Sequence, residues 1–332
     1  MKLVIVLVVG IVLYFIVSLI YKKFWHKGLN ISVEFENEVV RVGEDNNLVE
    51  KISNDKVLPL PILQIRFAVS KTFKFSEVKK NSAVTDQMYR SDYFSVMPFQ
   101  KVTRSYPFRC VDRGCFQLAT IDVFGMDFFI SKARRMTLKT PRLLYVLPKP
   151  IKDMNVPESI ENVMNSIKEE GEDRKCIVLL NTELNSMSKA DELVEDGIRI
   201  ADYFVSRCYK DSIPIKFFTN GVDMLTGEEC RLDAVSDVDD KISLEKTIAR
   251  IDASKQPRAF KHILAAAEKL DEGNTDFVII SNNRKSDFVK ILAEFMEKGH
   301  STRLIIPEFK NVDIAPYEDD KDKIVKWVVE ND

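Results

Sequence analysis

Few groups in this chain could carry out chemistry. There are three histidines: His26 among lysines, His262 in an amphipathic stretch, and His300 in a Gly299-His-Ser turn. A Ser-His-Asp or Cys-His-Asp hydrolase needs a base held beside its nucleophile. Only His262 or His300 could serve, and no neighbouring residue marks either as a base. The five cysteines, Cys110, Cys115, Cys176, Cys208 and Cys230, are odd in number and form no CxxC pair, so they read as buried reduced thiols. The phrase Asn181-Thr182-Glu183-Leu-Asn185-Ser186 follows a short apolar run. Thr182, Glu183 and Ser186 offer oxygens to a hard cation such as Mg²⁺, but with one carboxylate among them the ligand set is weak. A polar loop that satisfies its own backbone is the favoured reading, and no metal is expected. Val235 to Asp240 gathers Asp237, Asp239 and Asp240 without the Gly and terminal Glu of an EF-hand loop, and reads as a solvated turn. GxxxxGK[ST] does not occur, and the isolated Gly197, Gly221, Gly227 and Gly273 make no dinucleotide fingerprint. Neither a cofactor nor a catalytic residue is expected.

The elements that would position these groups fall into two regions with different periods. From Asn30 to about Pro150 the chain reads as β. Ile31 to Phe35 alternates apolar and polar, Val40 to Val42 leads into a Gly43-Glu44 turn, and Leu48 to Ile52 resumes. Leu60 to Val69 looks like an inner strand with Pro61 at its start. Val102 to Cys110 and Cys115 to Ile121 flank an Asp112-Arg113-Gly114 hairpin turn. Short strands between turn signals predict a β-sandwich over residues 28–150. After a linker at 151–173 the period changes. Apolar strands at Cys176–Leu180, Ile213–Thr219, Phe277–Ser281 and Arg303–Ile306 alternate with helical spacing at Ala190–Lys210, Leu244–Ile251, Ala259–Leu270 and Phe288–Lys298. That alternation predicts a doubly wound α/β domain over 174–332.

Ahead of both lies an uncharged run of nineteen residues, Leu3 to Tyr21. As a helix it rises about 28 Å, close to the ~30 Å of bilayer hydrocarbon. The run is too long for a signal-peptide core, and no small-x-small cleavage site follows it. It reads as a retained single-pass anchor at 1–27 in the cell membrane. Lys22, Lys23 and Lys27 follow the run and only Lys2 precedes it, so the bulk of the chain is expected on the cytoplasmic side. A net charge of −2, with no basic block interleaved with aromatics, excludes a nucleic-acid surface.

The hairpin region reads Phe108-Arg-Cys-Val-Asp-Arg113-Gly114-Cys-Phe116-Gln-Leu118, then Asp122-Val-Phe124-Gly125-Met126. It resembles the signature of bacterial DUF58 proteins, Arg-Gly-x-aromatic-x-Leu followed by Asp-(Pro)-Phe-Gly-Leu. The order of parts agrees as well: a membrane segment, a β-sandwich with that signature, then an α/β domain similar to von Willebrand factor A domains. On physical grounds Arg113, Gly114, Phe116, Asp122, Phe124 and Gly125 read as a structural corner. Gly114 takes a positive φ, Arg113 clamps a nearby carbonyl or Asp122, and Phe124-Gly125 plugs the sandwich where the backbone turns tightly. The chain departs from the family in lacking the Arg-Pro-x-x-x-Gly-Asp-x-x-x-x-Ile-x-Trp connector; its two tryptophans are Trp25 and Trp327. It also departs from the Asp-x-Ser-x-Ser metal motif of A-type domains, with Asn181 replacing the leading aspartate and Glu183 a serine.

The resemblance implies a non-enzymatic, membrane-tethered adaptor working with a MoxR-type AAA+ ATPase. Asn181, Thr182, Glu183, Asn185 and Ser186 would form the docking rim. A cytosolic-face hydrolase using His262 or His300 and a purely structural envelope protein are the alternatives.

Overall fold

The computed structural model describes residues 2–76, 82–84, 87–129, 133–151, 156–169, 174–183, 190–228, 230, 238–255, 257–271, 273–309 and 323–328. The chain divides into two units, residues 1–112 with 116–146, and residues 113–115 with 147–332.

The first unit opens with helix α1 (Lys2–Phe24), which is long and apolar enough to cross a membrane. Strands β1 (Leu29–Phe35), β2 (Val39–Arg41), β3 (Asp45–Asn54), β4 (Leu60–Ser70), β5 (Phe73–Phe75), β6 (Ser82–Val84), β7 (Gln87–Val96), β8 (Lys101–Cys110), β9 (Gly114–Met126) and β10 (Arg134–Leu147) follow. They form one sheet in the order β1-β3-β8-β5 and a second in the order β2-β10-β9-β4-β7-β6. Inward residues alternate along each strand, as period-2 side chains require, and one core unites Val33, Leu48 and Phe108 of the first sheet with Leu63, Ile65 and Val123 of the second. Pro61 sits second in β4, where its missing N–H is tolerated although the strand is interior.

The helix runs into this core. Tyr21 and Trp25 are both buried there, and the Tyr21 hydroxyl donates to the Pro59 carbonyl at 2.6 Å. Gly125 makes room for the Trp25 ring: a Cβ at that position would stand 2.4 Å from Trp25 Cε3. The sequence pattern predicts a tight turn at Phe124-Gly125 with an aromatic plug, and the structure differs. Gly125 lies within β9 opposite Leu63 and makes no turn, and the plugging aromatic is Trp25. Phe124 is half-buried, with the Arg66 and Arg135 guanidinium groups 5.0 and 5.7 Å from its ring centroid.

The second unit contains α2 (Glu158–Glu169), β11 (Lys175–Leu180), α3 (Ala190–Lys210), β12 (Ile215–Thr219), β13 (Val222–Asp223), α4 (Val238–Arg250), β14 (Ile251–Asp252), α5 (Lys261–Glu268), β15 (Thr275–Ile280), α6 (Ser286–Glu297), β16 (Ser301–Glu308) and β17 (Ile324–Val328). Five strands form a parallel sheet in the order β12-β11-β15-β16-β17. Alternate residues of each central strand face opposite sides. Cys176, Val178 and Leu180 pack under α2, α3 and α4, while Ile177 and Leu179 pack under α5 and α6. The sheet is thus doubly wound, and the near-continuous apolar runs of β11 and β15 follow from burial on both faces.

The stretch 151–173, read from the sequence as a linker, includes α2, whose Ile160, Val163, Met164 and Ile167 sit in this core. Residues 238–240, read as part of a solvated turn, open helix α4; residues 235–237 lie outside the described residues.

Candidate functional site

A doubly wound sheet brings its strand ends and following loops together at the carboxyl edge, and ligands bind where the strand order reverses. In sequence order the strands here lie 2-1-3-4-5, so the reversal falls between β11 and β15. The loops leaving those strands begin with Asn181-Thr182-Glu183 and Ser281-Asn282-Asn283. The sequence-derived rim therefore stands at the switch point. Asn185 and Ser186 lie outside the described residues.

The described rim is a closed amide web. Asn181 Oδ1 accepts from the Glu183 backbone N–H and from Asn220 Nδ2, both at 3.0 Å, and Asn181 Nδ2 donates to Ser281 Oγ at 3.1 Å. Asn220 Oδ1 accepts from the Thr182 N–H at 2.9 Å and from its hydroxyl at 3.3 Å. Glu183 Oε1 accepts the Phe260 N–H at 3.0 Å, just ahead of α5, and Oε2 accepts from Asn283 Nδ2. Asn283 Oδ1 in turn accepts the Lys285 N–H before α6.

A hard cation would meet a poor fit. Both Glu183 oxygens and Asn181 Oδ1 already face N–H donors, and a cation would have to displace them. Among the described residues no three His, Cys, Asp or Glu side chains come together as a metal-ligand cluster. The weak candidates Thr182 and Glu183 act as structural fasteners in this web.

Beside the web lies an open groove of about 780 Å³. Its wall includes Glu183, Phe260, Lys261, Asn283, Lys285 and Asp287. Lys261 and Lys285 are exposed at the starts of α5 and α6, so two cations and two positive helix ends border two anionic side chains, Asp287 and Glu183, the latter already engaged by the Phe260 N–H and Asn283. Phe288 and Ile291 supply an apolar floor. An open wall with an apolar floor and charges at its edge can receive part of a peptide or protein surface, whose polar groups would meet the charged rim. Sequence reasoning missed the lysines because nothing in their local pattern distinguishes them from ordinary solvated helix residues.

The family-signature residues lie elsewhere. The Arg113 side chain is only 3% exposed. Its Nε and Nη2 donate to Glu195 of α3 at 2.9 and 2.6 Å, and Nη1 reaches the Ile248 and Ala249 carbonyls at 2.9 and 3.1 Å. Those carbonyls end α4, where a cation is favoured by the helix dipole. The expected carbonyl clamp is there, but Asp122 is not its partner: that carboxylate takes Arg135 and Thr137 instead. Gly114 holds φ at +151°, a conformation that favours glycine. Phe116 packs edge-on against Phe73.

His262 is exposed on α5. His300 sits before β16, at the amino edge of the sheet, held by Asp271 and Glu268 and stacked near Phe277 and Phe295. Neither histidine hydrogen-bonds a serine or cysteine side chain among the described residues. Three of the thiols, those of Cys110, Cys115 and Cys176, are held protonated and are poor nucleophiles. Burial pushes Cys110 up to about 12 and Cys115 up to about 11, with Arg250 opposing the latter. A hydrogen bond with Cys208, together with burial, raises Cys176.

No family model and no curated protein matches the chain. Solved structures match parts of it. They include the CARDB domain of a Pyrococcus furiosus protein (12% identity, 37% of this chain and 97% of that one, TM-score 0.24). A cohesin module from a Clostridium perfringens family 33 glycoside hydrolase also matches (9% identity, 37% and 97%, TM-score 0.26). So does the sporulation control protein Spo0M of Bacillus subtilis (12% identity, 43% and 56%, TM-score 0.21). Likenesses this weak carry no functional weight.

Proposed function

We propose that this chain is a non-enzymatic, membrane-tethered adaptor of the DUF58 type, with an α/β unit related to von Willebrand factor A domains and a MoxR-type AAA+ ATPase as its partner. The observation that carries the docking part is the open groove at the sheet's switch point, bordered by Lys261, Lys285 and Asp287. The amide web beneath it holds the rim in shape without a cation. Retention of the anchor is supported by the burial of Tyr21 and Trp25, since removing the helix would leave their places in the sandwich core empty. Lys22, Lys23 and Lys27, which follow the apolar run, favour a cytoplasmic body, where an AAA+ ATPase resides.

The test is affinity capture of detergent-solubilised full-length protein from its own host, followed by mass spectrometry. Wild type, Lys261→Glu/Lys285→Glu and an anchor-only chain are compared, each with and without EDTA. The expected result is a stoichiometric ATPase with wild type, its loss with the charge-reversed groove, and no effect of EDTA. Equal capture by wild type and the reversed groove removes the groove from the proposal. Absence of any ATPase refutes the adaptor reading, and loss of capture in EDTA refutes its metal-free form.

A further inference from the structure

The two ends of the sandwich differ in a way the adaptor reading leaves unused. At one end lie the connections between α1 and β1, β3 and β4, β7 and β8, and β9 and β10, because Leu29 pairs with Asn54, Ser53 with Lys101, Leu60 with Val96, and Ile62 with Met126. Those connections expose Val57, Met97, Phe99, Phe128 and Phe129, from 48% to 73% each. In the described connections of the opposite end Val111 is the one exposed large apolar side chain, at 39%, and Tyr89, at 46%, stands nearby within β7. The neighbours of Val111 there are polar, including Glu36, Asn37, Glu44 and Asp112. Exposed apolar side chains gathered at one end of a body mark an interaction surface.

The apolar end is built rather than incidental. Asn54, fully buried, donates through Nδ2 to the Leu58 and Met97 carbonyls at 3.0 and 2.9 Å, tying two of the loops together. The Phe99 N–H adds a bond to the Lys56 carbonyl. Phe99 also holds φ at +56°, a conformation bulky residues rarely adopt, and it leaves its ring 67% exposed.

The β9–β10 connection lies along the helix itself. Phe128 packs edge-on to Tyr21 at 5.9 Å between ring centroids, and Phe129 to Tyr14 at 5.1 Å. Tyr14 precedes Lys22 by eight residues, a rise of about 12 Å. If Leu3 to Tyr21 fills the hydrocarbon, Phe129 lies well inside it. Two described charges flanking these phenylalanines, Asp127 and Arg134, are paired with each other. Asp127 is fully buried against Arg134 at 3.5 Å, and Arg134 donates to the Ser18 carbonyl at 3.2 Å. That depth is nearer the headgroups, where a paired cation is tolerated. Lys22, Lys23, Lys27 and Lys101 are exposed at the same end and outnumber the exposed Asp55 there, an excess of positive charge complementary to anionic lipid.

We propose that this end of the sandwich is a lipid-facing collar, with Phe128 and Phe129 inserted beside α1 and with Val57, Met97 and Phe99 seated in the headgroup layer. The collar rests on the reading of α1 as a retained span, and it would fix the height and tilt of the sandwich on the bilayer. The occupant is lipid rather than a second protein chain because the patch is continuous with the spanning helix and rimmed by lysine.

The test uses full-length protein in nanodiscs containing brominated phosphatidylcholine. Phe129→Trp, Met97→Trp and, as a helix control, Val9→Trp are each read as difference spectra against the parent, whose Trp25 and Trp327 are buried. The expected result is blue-shifted Phe129→Trp emission, quenched by brominated acyl chains as Val9→Trp is and protected from aqueous iodide. Met97→Trp should respond more to shallow than to deep bromine. Quenching of Val9→Trp without quenching of Phe129→Trp or Met97→Trp overturns the collar and leaves the anchor standing. Protection of both loop positions from bromine and iodide alike also overturns it, assigning the patch to a second copy of the chain. If Val9→Trp itself escapes the bromine, the anchor reading fails first. Should Phe129→Trp not fold, Met97→Trp decides alone.

Discussion

Gly125→Ala tests whether α1 and the sandwich are one folded body. The new Cβ would stand 2.4 Å from Trp25 Cε3 and 2.7 Å from Cζ3, about 1 Å inside ordinary carbon contact. The ring cannot simply swing away, because Trp25 is 5% exposed among core neighbours. Overpacking of this kind costs about 1–3 kcal/mol. Trp25→Ala alone removes the ring at a cost of about 3–5 kcal/mol. In that background the clash is gone, and Gly125→Ala should become neutral or stabilise by up to about 1 kcal/mol, since it restricts the unfolded chain at a position without positive φ. The change of sign is the signature of direct contact. Urea-dependent alkylation with peptide mapping can follow the units separately. Cys110 is buried in the first unit and Cys176 and Cys208 in the second. Only the Cys110 midpoint should move. An equal loss from Gly125→Ala with and without Trp25 would refute the packing of the helix end against β9.

Glu183→Ala should strip the Phe260 N–H and Asn283 Nδ2 of their acceptor and destabilise the second unit by about 1–3 kcal/mol. Glu183→Gln, which keeps one acceptor, should lose less; equal losses in urea titrations would contradict the web described for the rim. Asp271 gives the pH dependence. Burial raises its carboxyl, but the Gly273 N–H and His300 outweigh that and hold it below the usual carboxylate range. A depressed carboxylate contributes stability that is complete above about pH 4 and is lost as the pH falls through its folded value. Asp271→Asn should therefore be less stable than wild type at neutral pH, with the gap closing in acid; a gap independent of pH would contradict the linkage.

The α/β unit was largely legible because its strands are buried on both faces and its helices carry one apolar stripe each. Ala190–Lys210 coincides with α3, and the rim phrase falls where a strand must hand the chain to a loop. The sandwich was legible only where its inward positions are apolar. Strand β7 escaped because two of its inward positions are Arg90 and Asp92, which pattern recognition takes for surface. The Arg90 guanidinium lies 4.3 Å from the ring centroids of both Phe75 and Tyr106, with Asp92 at 3.7 Å. It is stabilised there by ring faces from two other strands, β5 and β8, and by a carboxylate two positions along its own strand. Strand β10 escaped because Pro141 sits within it, yet its neighbour β2 is only three residues long and leaves most of that edge without a ladder to break.

The sites divide along the same line. Rim residues such as Asn181 and Glu183 announce themselves by following an apolar strand, whereas the Lys261–Lys285 border and the Phe128–Phe129 tip are ordinary residues made unusual by what folding places beside them. A lysine acquires meaning from a second helix start across a groove, and an exposed phenylalanine from the long apolar helix alongside it. Those juxtapositions carry the functional reading because, among the described residues, neither His262 nor His300 hydrogen-bonds a serine or cysteine side chain.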